Sequence, residues 1–254
     1  MSTTSLHYVR RGRGETLVLL HPLGGSVVVW EPVLDRLARE RDVIAVDMPG
    51  FGASPALADG AEPTPPGLAA GVSAFLDSLG IAGAHLVGNS LGAWVAIELA
   101  RTGRARSVTG LAPAGFWTRP LGRRGGIEPR TLARFALPLV PVLSRSARGR
   151  GLLLAGAVAR PERVPADAAR RLVRAYATSP AFVAANWAMR SGLVEKIEEV
   201  SVPVTLAWAE HDHLVTKPKR PIPGARMVDL PGCGHIPTWD DPELVVRIVL
   251  EASR

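Results

Sequence analysis

The chain has 254 residues, 47% hydrophobic and 21% charged, with a formal net charge of +7. This is enough apolar side chain for one large core, or one core with a small inserted subdomain, and it excludes disorder over the whole chain. No run of about 18 apolar residues occurs, so no transmembrane segment is expected, and the start Met1-Ser2-Thr3-Thr4-Ser5 lacks the basic and apolar blocks of a secretory signal.

In chain order, residues 16–20 (Thr-Leu-Val-Leu-Leu) read as a buried strand that ends at His21-Pro22-Leu23-Gly24-Gly25. Residues 30–39 carry helical spacing through Trp30, Val33, Leu34, Leu37 and Ala38. Residues 43–46 form a second apolar strand, closed by the turn residues Asp47-Met48-Pro49-Gly50-Phe51-Gly52. A Pro-rich loop from Asp59 to Gly67 precedes a helix over 68–79, with Leu68, Val72, Phe75, Leu76 and Leu79 on one face. His85-Leu86-Val87 is a strand, 91–100 a helix and 108–112 a strand. Strands alternating with helices predict a parallel sheet joined by right-handed crossovers.

The rhythm breaks at Pro113, and no strand stands out between Phe116 and Trp187. This stretch is rich in Arg, Pro and Gly and holds short helical patterns such as 166–177. It contains 13 arginines against three acids (Glu128, Glu162, Asp167), so the positive charge of the chain concentrates here. An arginine-rich solvated surface accounts for that; the sharper reading is attraction of an anionic substrate or an anionic membrane surface. Nucleic acid is not an expected partner, because no aromatic-interleaved basic stripe or zinc-finger spacing accompanies the charge. Strands resume at 204–208 and 227–230, and a closing helix spans 242–251. The division is therefore 1–115 with 188–254 as an α/β core and 116–187 as a helical insertion. The single cysteine, Cys233, cannot form an intramolecular disulfide, in keeping with a cytoplasmic location.

Gly88-Asn89-Ser90-Leu91-Gly92 matches the nucleophile elbow G-x-S-x-G, between an apolar strand and an amphipathic helix. A serine at so sharp a turn needs glycine two residues to either side, where side chains would collide. The helix that follows aims its N-terminal amides and positive dipole end at a developing oxyanion. One oxyanion donor is expected at Leu91; the other comes from the loop after the early strand, with Leu23 the candidate and Gly24 its alternative. No Gly-Lys-Ser/Thr occurs, which argues against a phosphate-binding loop.

The elbow goes with the chain order serine, acid, histidine. His7, His21 and His85 precede Ser90, and His211 and His213 flank an aspartate. His235, in the loop between the last strand and the last helix, is the expected base. Glu210 and Asp212 follow the strand at 204–208, and Asp212 is the expected acid, which would orient the imidazole and stabilise its protonated form. The loop one strand earlier, 111–115, holds no acid. Asp240 and Asp241 are expected to cap the final helix, and Cys233 to be a buried thiol rather than a nucleophile.

The ordered set of His21-Pro-Leu-Gly-Gly25, Asp47-Met-Pro-Gly-Phe-Gly-Ala-Ser54, Gly88–Gly92, Trp208-Ala-Glu-His-Asp212 and Gly234-His235 resembles the α/β-hydrolase superfamily, in its small capped branch, over residues 6–250. The resemblance implies a mostly parallel eight-stranded sheet, with helices on both faces and residues 116–187 as a cap. Pro22 and Ala93 stand where relatives usually carry glycine. Asp47 belongs to a motif that is usually structural. Relatives that open epoxides or remove halides use aspartate as nucleophile, so Ser90 points away from those reactions. The expected activity is hydrolysis of a small-molecule carboxylic ester through an acyl-enzyme, with no cofactor and no metal. A lactonase, a thioesterase and a carbon–carbon bond hydrolase would use the same triad. A non-catalytic small-molecule binder and a non-hydrolytic enzyme remain the readings from other classes. Phe116, Trp117, Phe135, Leu139, Phe182 and Trp187 are the expected apolar wall of the pocket.

Overall fold

A computed structural model describes residues 5–58, 60–122 and 129–254. Met1 to Thr4, Asp59 and Glu128, all named above, lie outside the described residues. Seven strands form one sheet: β1 (Tyr8–Arg11), β2 (Thr16–Leu20), β3 (Asp42–Val46), β4 (Ala84–Asn89), β5 (Ala105–Leu111), β6 (Val204–Ala209) and β7 (Ala225–Leu230). Their spatial order is β1-β3-β2-β4-β5-β6-β7, and every pair is parallel except β1 with β3.

The expected eight strands are seven among the described residues. β1 carries no apolar run that sequence alone reveals: of Tyr8-Val9-Arg10-Arg11 only Val9 is aliphatic, and the strand is mostly exposed at the sheet edge. Residues 5–7 ahead of it add no strand; there the His7 backbone carbonyl accepts from the Asp47 N–H and its N–H donates to Ser54 Oγ.

The central strands are buried on both faces, and alternation decides which side chain goes where. Val18, Leu20, Ile44, Val46, Leu206 and Trp208 point to one core. There they meet α2 (Pro65–Ser78) and α3 (Leu91–Arg101). Leu17, Leu19, Val43, Ala45 and Ala207 point to the other, against α1 (Glu31–Leu37) and the last helix. Thr64 caps α2 by accepting from the Gly67 N–H.

Between β5 and β6 run α4 (Pro129–Ala136), α5 (Val140–Leu143), α6 (Ala147–Leu153), α7 (Ala166–Thr178) and α8 (Phe182–Ser191). From this segment, Tyr176 and Phe182 come beside Gly24, and Ala181 donates to the Gly50 carbonyl, in the loops at the carboxyl ends of β2 and β3, the end where open α/β sheets bind ligands. After β7 come the short α9 (Pro237–Asp240) and then α10 (Pro242–Ala252), capped by Asp241, whose side chain accepts from the Leu244 N–H. No helix among the described residues is long and apolar enough to cross a membrane.

Candidate active site

β4 ends at Asn89 and α3 begins at Leu91, so Ser90 alone makes the turn. Its backbone sits at φ +55° and ψ −113°, a conformation that costs about 1–3 kcal/mol for a residue with a Cβ and persists only when its surroundings enforce it. The enforcement is visible. The Ser90 N–H donates to the Leu111 carbonyl at 2.9 Å, and its carbonyl accepts from the amides of Ala93 and Ala114 at 3.1 and 3.2 Å. The flanking glycines are sterically obligatory. A Cβ on Gly88 would lie 2.2 Å from the Gly92 carbonyl carbon, and one on Gly92 would lie 2.1 Å from the Leu20 carbonyl oxygen.

Asp212 and His235 come from the loops after β6 and β7 and meet: His235 Nδ1 lies 2.7 Å from Asp212 Oδ2. Both side chains are buried, at 9% and 1% exposure, so the pair is shielded from competing water. The other oxygen, Oδ1, accepts from the amides of Leu214 and Val215 at 2.7 and 3.0 Å, which fixes the carboxylate plane. With Nδ1 donating to Asp212, the Nε2 edge of His235 is left as the acceptor. Glu210 goes elsewhere, accepting from the Gly232 N–H on the surface. The structure therefore pairs the expected acid with the expected histidine.

Ser90 and His235 line one cavity of about 360 Å³, together with Leu23. Among the described residues, the Leu23 and Leu91 amides donate to no other protein group. Gly24 does not reach this cavity, which favours Leu23 over its alternative. His21 is fully buried and holds the Leu23 loop to the next strand's end: Nε2 accepts from the Met48 N–H at 3.0 Å and Nδ1 faces the Pro22 carbonyl at 2.8 Å. Burial pushes its pKa down, so the ring is neutral and able to accept that bond. Asp47 is likewise structural. Its Oδ1 accepts from the Val27 amide, and its Oδ2 accepts from the Ala53 amide and faces His7 Nδ1.

Two residues that position the site were not found from sequence. Asn89, next to Ser90, sends its side-chain N–H groups to the Leu111 and His235 carbonyls at 3.0 and 2.9 Å, tying the Ser90 turn to the His235 loop. Asp240 was expected to cap the last helix, and that expectation fails; Asp241 alone caps it. Asp240 is 3% exposed and faces the other way. Its Oδ2 accepts from the Gly234 and Ala159 amides, and its Oδ1 from the Arg160 amide. It joins the histidine loop to the segment between α6 and α7. No local pattern announces this, because the donors come from positions 234 and 159–160.

The expected apolar wall divides. Trp117 and Phe182 line the Ser90 cavity. Phe116 stacks edge-on against Trp208, outside it. Phe135, Leu139 and Trp187 face outward at 80%, 59% and 48% exposure, so their role as pocket wall is withdrawn. They sit on short helices with a covered and an open side, and composition does not say which is which. Arg130, Arg190 and His213 also reach the cavity. Other arginines of the segment between β5 and β6 are engaged locally: Arg171 pairs with Glu31 and Asp167, and Arg150 donates to the Ser144 and Glu162 carbonyls. Cys233 is fully buried, and desolvation pushes its thiol pKa up to about 12, so it is not a thiolate nucleophile at neutral pH. No group of three His, Cys, Asp or Glu side chains among the described residues is placed to hold a metal ion.

A family model described as "Alpha/beta hydrolase family" matches residues 17–248. Epoxide hydrolase EphH of Mycobacterium tuberculosis is 34% identical over 201 residues, covering 72% of this chain and 91% of that protein. A pimeloyl-[acyl-carrier protein] methyl ester esterase of Aeromonas hydrophila is 31% identical over an alignment of 259 positions, covering 96% of this chain and 98% of that protein. Among solved structures, a thermophilic esterase from Thermogutta terrifontis superposes with a TM-score of 0.71 at 22% identity, covering 97% of this chain and 92% of that one. The enol-lactonase from Burkholderia xenovorans superposes with a TM-score of 0.70 at 22% identity, covering 97% and 95%. At that identity the structural likeness speaks for the fold alone.

Proposed function

This chain belongs to the alpha/beta hydrolase family, and from that premise we propose that it is a serine hydrolase of small-molecule carboxylic esters, with residues 116–187 as its cap. The observation that carries the reading is the buried Asp212–His235 hydrogen bond opening onto the cavity that Ser90 lines. Ser90 Oγ attacks the ester carbonyl carbon while His235 Nε2 takes its proton, and the oxyanion accepts from the Leu91 and Leu23 amides. Collapse breaks the carbon–oxygen bond to the alcohol, which leaves with the proton from His235. Water, deprotonated by the same nitrogen, then cleaves the acyl-enzyme and releases the carboxylic acid.

Serine at the elbow favours this acyl transfer over the epoxide opening for which one relative is named. A full-length relative named as a methyl ester esterase supports ester as the substrate class. Lactones and thioesters would be cleaved by the same steps.

The test is labelling with a fluorophosphonate together with hydrolysis of a p-nitrophenyl ester. Wild type is expected to label on Ser90 and turn over; Ser90→Ala is expected to do neither while keeping its circular dichroism. Labelling that survives Ser90→Ala overturns the assignment.

A further inference from the structure

Beside the Ser90 cavity lies a larger one of about 580 Å³. Leu23, Ala157, Leu214 and Ile236 line both, so the two spaces meet next to the proposed oxyanion loop. The larger space runs between α4 on one side, through Leu132, Ala133 and Ala136, and Leu143, Leu172 and Val173 on the other. No charged side chain lines it among the described residues, whereas Arg130, Arg190 and His213 line the Ser90 cavity. Charged side chains are thus confined, among the described residues, to the compartment that holds the serine.

We infer that the larger cavity is an acyl-chain arm, which takes the unbranched aliphatic chain of an ester whose carbonyl lies at Ser90. The inference rests on the serine-hydrolase reading. Its side of the ester follows from which loop opens into it. Pro22, Leu23, Gly24 and Gly25 all line the arm, while the histidine loop supplies only Ile236. The leaving alcohol must lie at His235 to receive its proton, so the acyl chain is the part directed past the oxyanion loop. The volume falls within the roughly 300–1,000 Å³ of pockets that enclose drug-sized ligands. Each methylene moved from water into such walls strengthens binding by about fourfold, until the arm is full. Leu132 and Leu152 are exposed where the arm reaches the surface, so it ends at an open apolar mouth.

The test uses p-nitrophenyl esters from acetate to laurate and fluorophosphonates bearing an ethyl or a decyl chain. For wild type, kcat/KM is expected to climb by about a hundredfold or more between acetate and octanoate. The decyl probe is expected to label Ser90 faster than the ethyl probe by a similar factor. Ala136→Trp and Ala133→Phe place a ring in the arm, on a helix with no buried residue to disturb. They are expected to remove most of the climb while leaving acetate hydrolysis and ethyl-probe labelling unchanged. Phe135→Ala, on the exposed side of the same helix, is expected to leave the whole series intact.

A flat acyl series in wild type, or a climb that both ring substitutions leave untouched, overturns the arm while ethyl-probe labelling still upholds the serine hydrolase. A climb seen with the alcohol chain of alkyl acetates instead overturns the acyl assignment. Failure of every probe to label Ser90 overturns the underlying reading itself.

Discussion

Asp240→Asn is the substitution whose consequence is easiest to work out from the structure. The carboxylate accepts three backbone N–H groups, from Gly234 at 2.8 Å, Ala159 at 3.0 Å and Arg160 at 2.8 Å. An amide in the same place offers one oxygen. In its better orientation it keeps Gly234 and Ala159 and turns an N–H against the Arg160 N–H. A hydrogen bond to a charged acceptor contributes about 1.5–3 kcal/mol, and a stranded buried donor costs a comparable amount, so a loss of about 2–3 kcal/mol is expected. For a chain of this length that corresponds to a fall in Tm of roughly 5–10 °C.

Activity should fall further than stability alone accounts for. Gly234 adjoins His235, and a displacement of about 1 Å at a reacting group is worth on the order of a hundredfold in rate. We expect kcat for an ester to drop by about ten- to a hundredfold at a temperature where the variant is fully folded, with KM little changed. Asp241→Asn supplies the control. Asparagine caps a helix as well as aspartate does, so Tm and kcat should stay near wild type. Differential scanning calorimetry and steady-state kinetics on both variants decide the matter. Wild-type Tm and kcat in Asp240→Asn would refute the reasoning, as would equal losses in the two variants.

Asp212→Asn should lower kcat by a factor on the order of 10⁴, because the amide would favour the wrong imidazole tautomer; Glu210→Gln should cost far less, and the reverse ranking in stopped kinetic assays would move the acid to Glu210. Gly92→Ala should fail to fold or lose well over 4 kcal/mol in urea titrations, because its Cβ would lie 2.1 Å from a backbone oxygen that cannot move away. Burial holds the folded-state pKa of His21 below its ordinary value near 6.5, so in that window the unfolded chain binds the extra proton. Stability should therefore fall as pH drops below about 6.5, with a slope approaching 1.4 kcal/mol per unit from this group, and His21→Gln should flatten that limb in urea titrations from pH 5 to 8. Arg130 and Arg190 at the Ser90 cavity predict a higher kcat/KM for esters with a remote carboxylate than for neutral esters of equal size; the advantage should shrink with ionic strength, and equal values at low salt would refute it.

Local features of the chain were sufficient for the core strands and the strand–turn–helix around Ser90, and they nominated three candidate site residues, Ser90, Asp212 and His235. Val18 and Leu20 face one core and Leu17 and Leu19 the other, because strand alternation is a property of consecutive residues. Gly88 is required by a clash with the backbone of Gly92, four positions on, which spacing reveals, whereas Gly92 is required by the Leu20 and His21 backbone, which only the fold brings beside it. The edge strand β1 escaped because an exposed strand carries no apolar signal. Asp212 stood out over Glu210 only as an expectation; its contact with His235 spans 23 positions and two loops, and the fold alone decides that distance. Asp240 and Asn89 gained their roles in the same way, from backbone donors and acceptors brought to them by other elements. In the segment between β5 and β6, Phe135 and Phe182 look alike in sequence, yet one faces solvent and the other lines the cavity. Periodicity tells which residues share a face of a helix, but which face is covered depends on what packs against it, and that is decided only when the whole chain is folded.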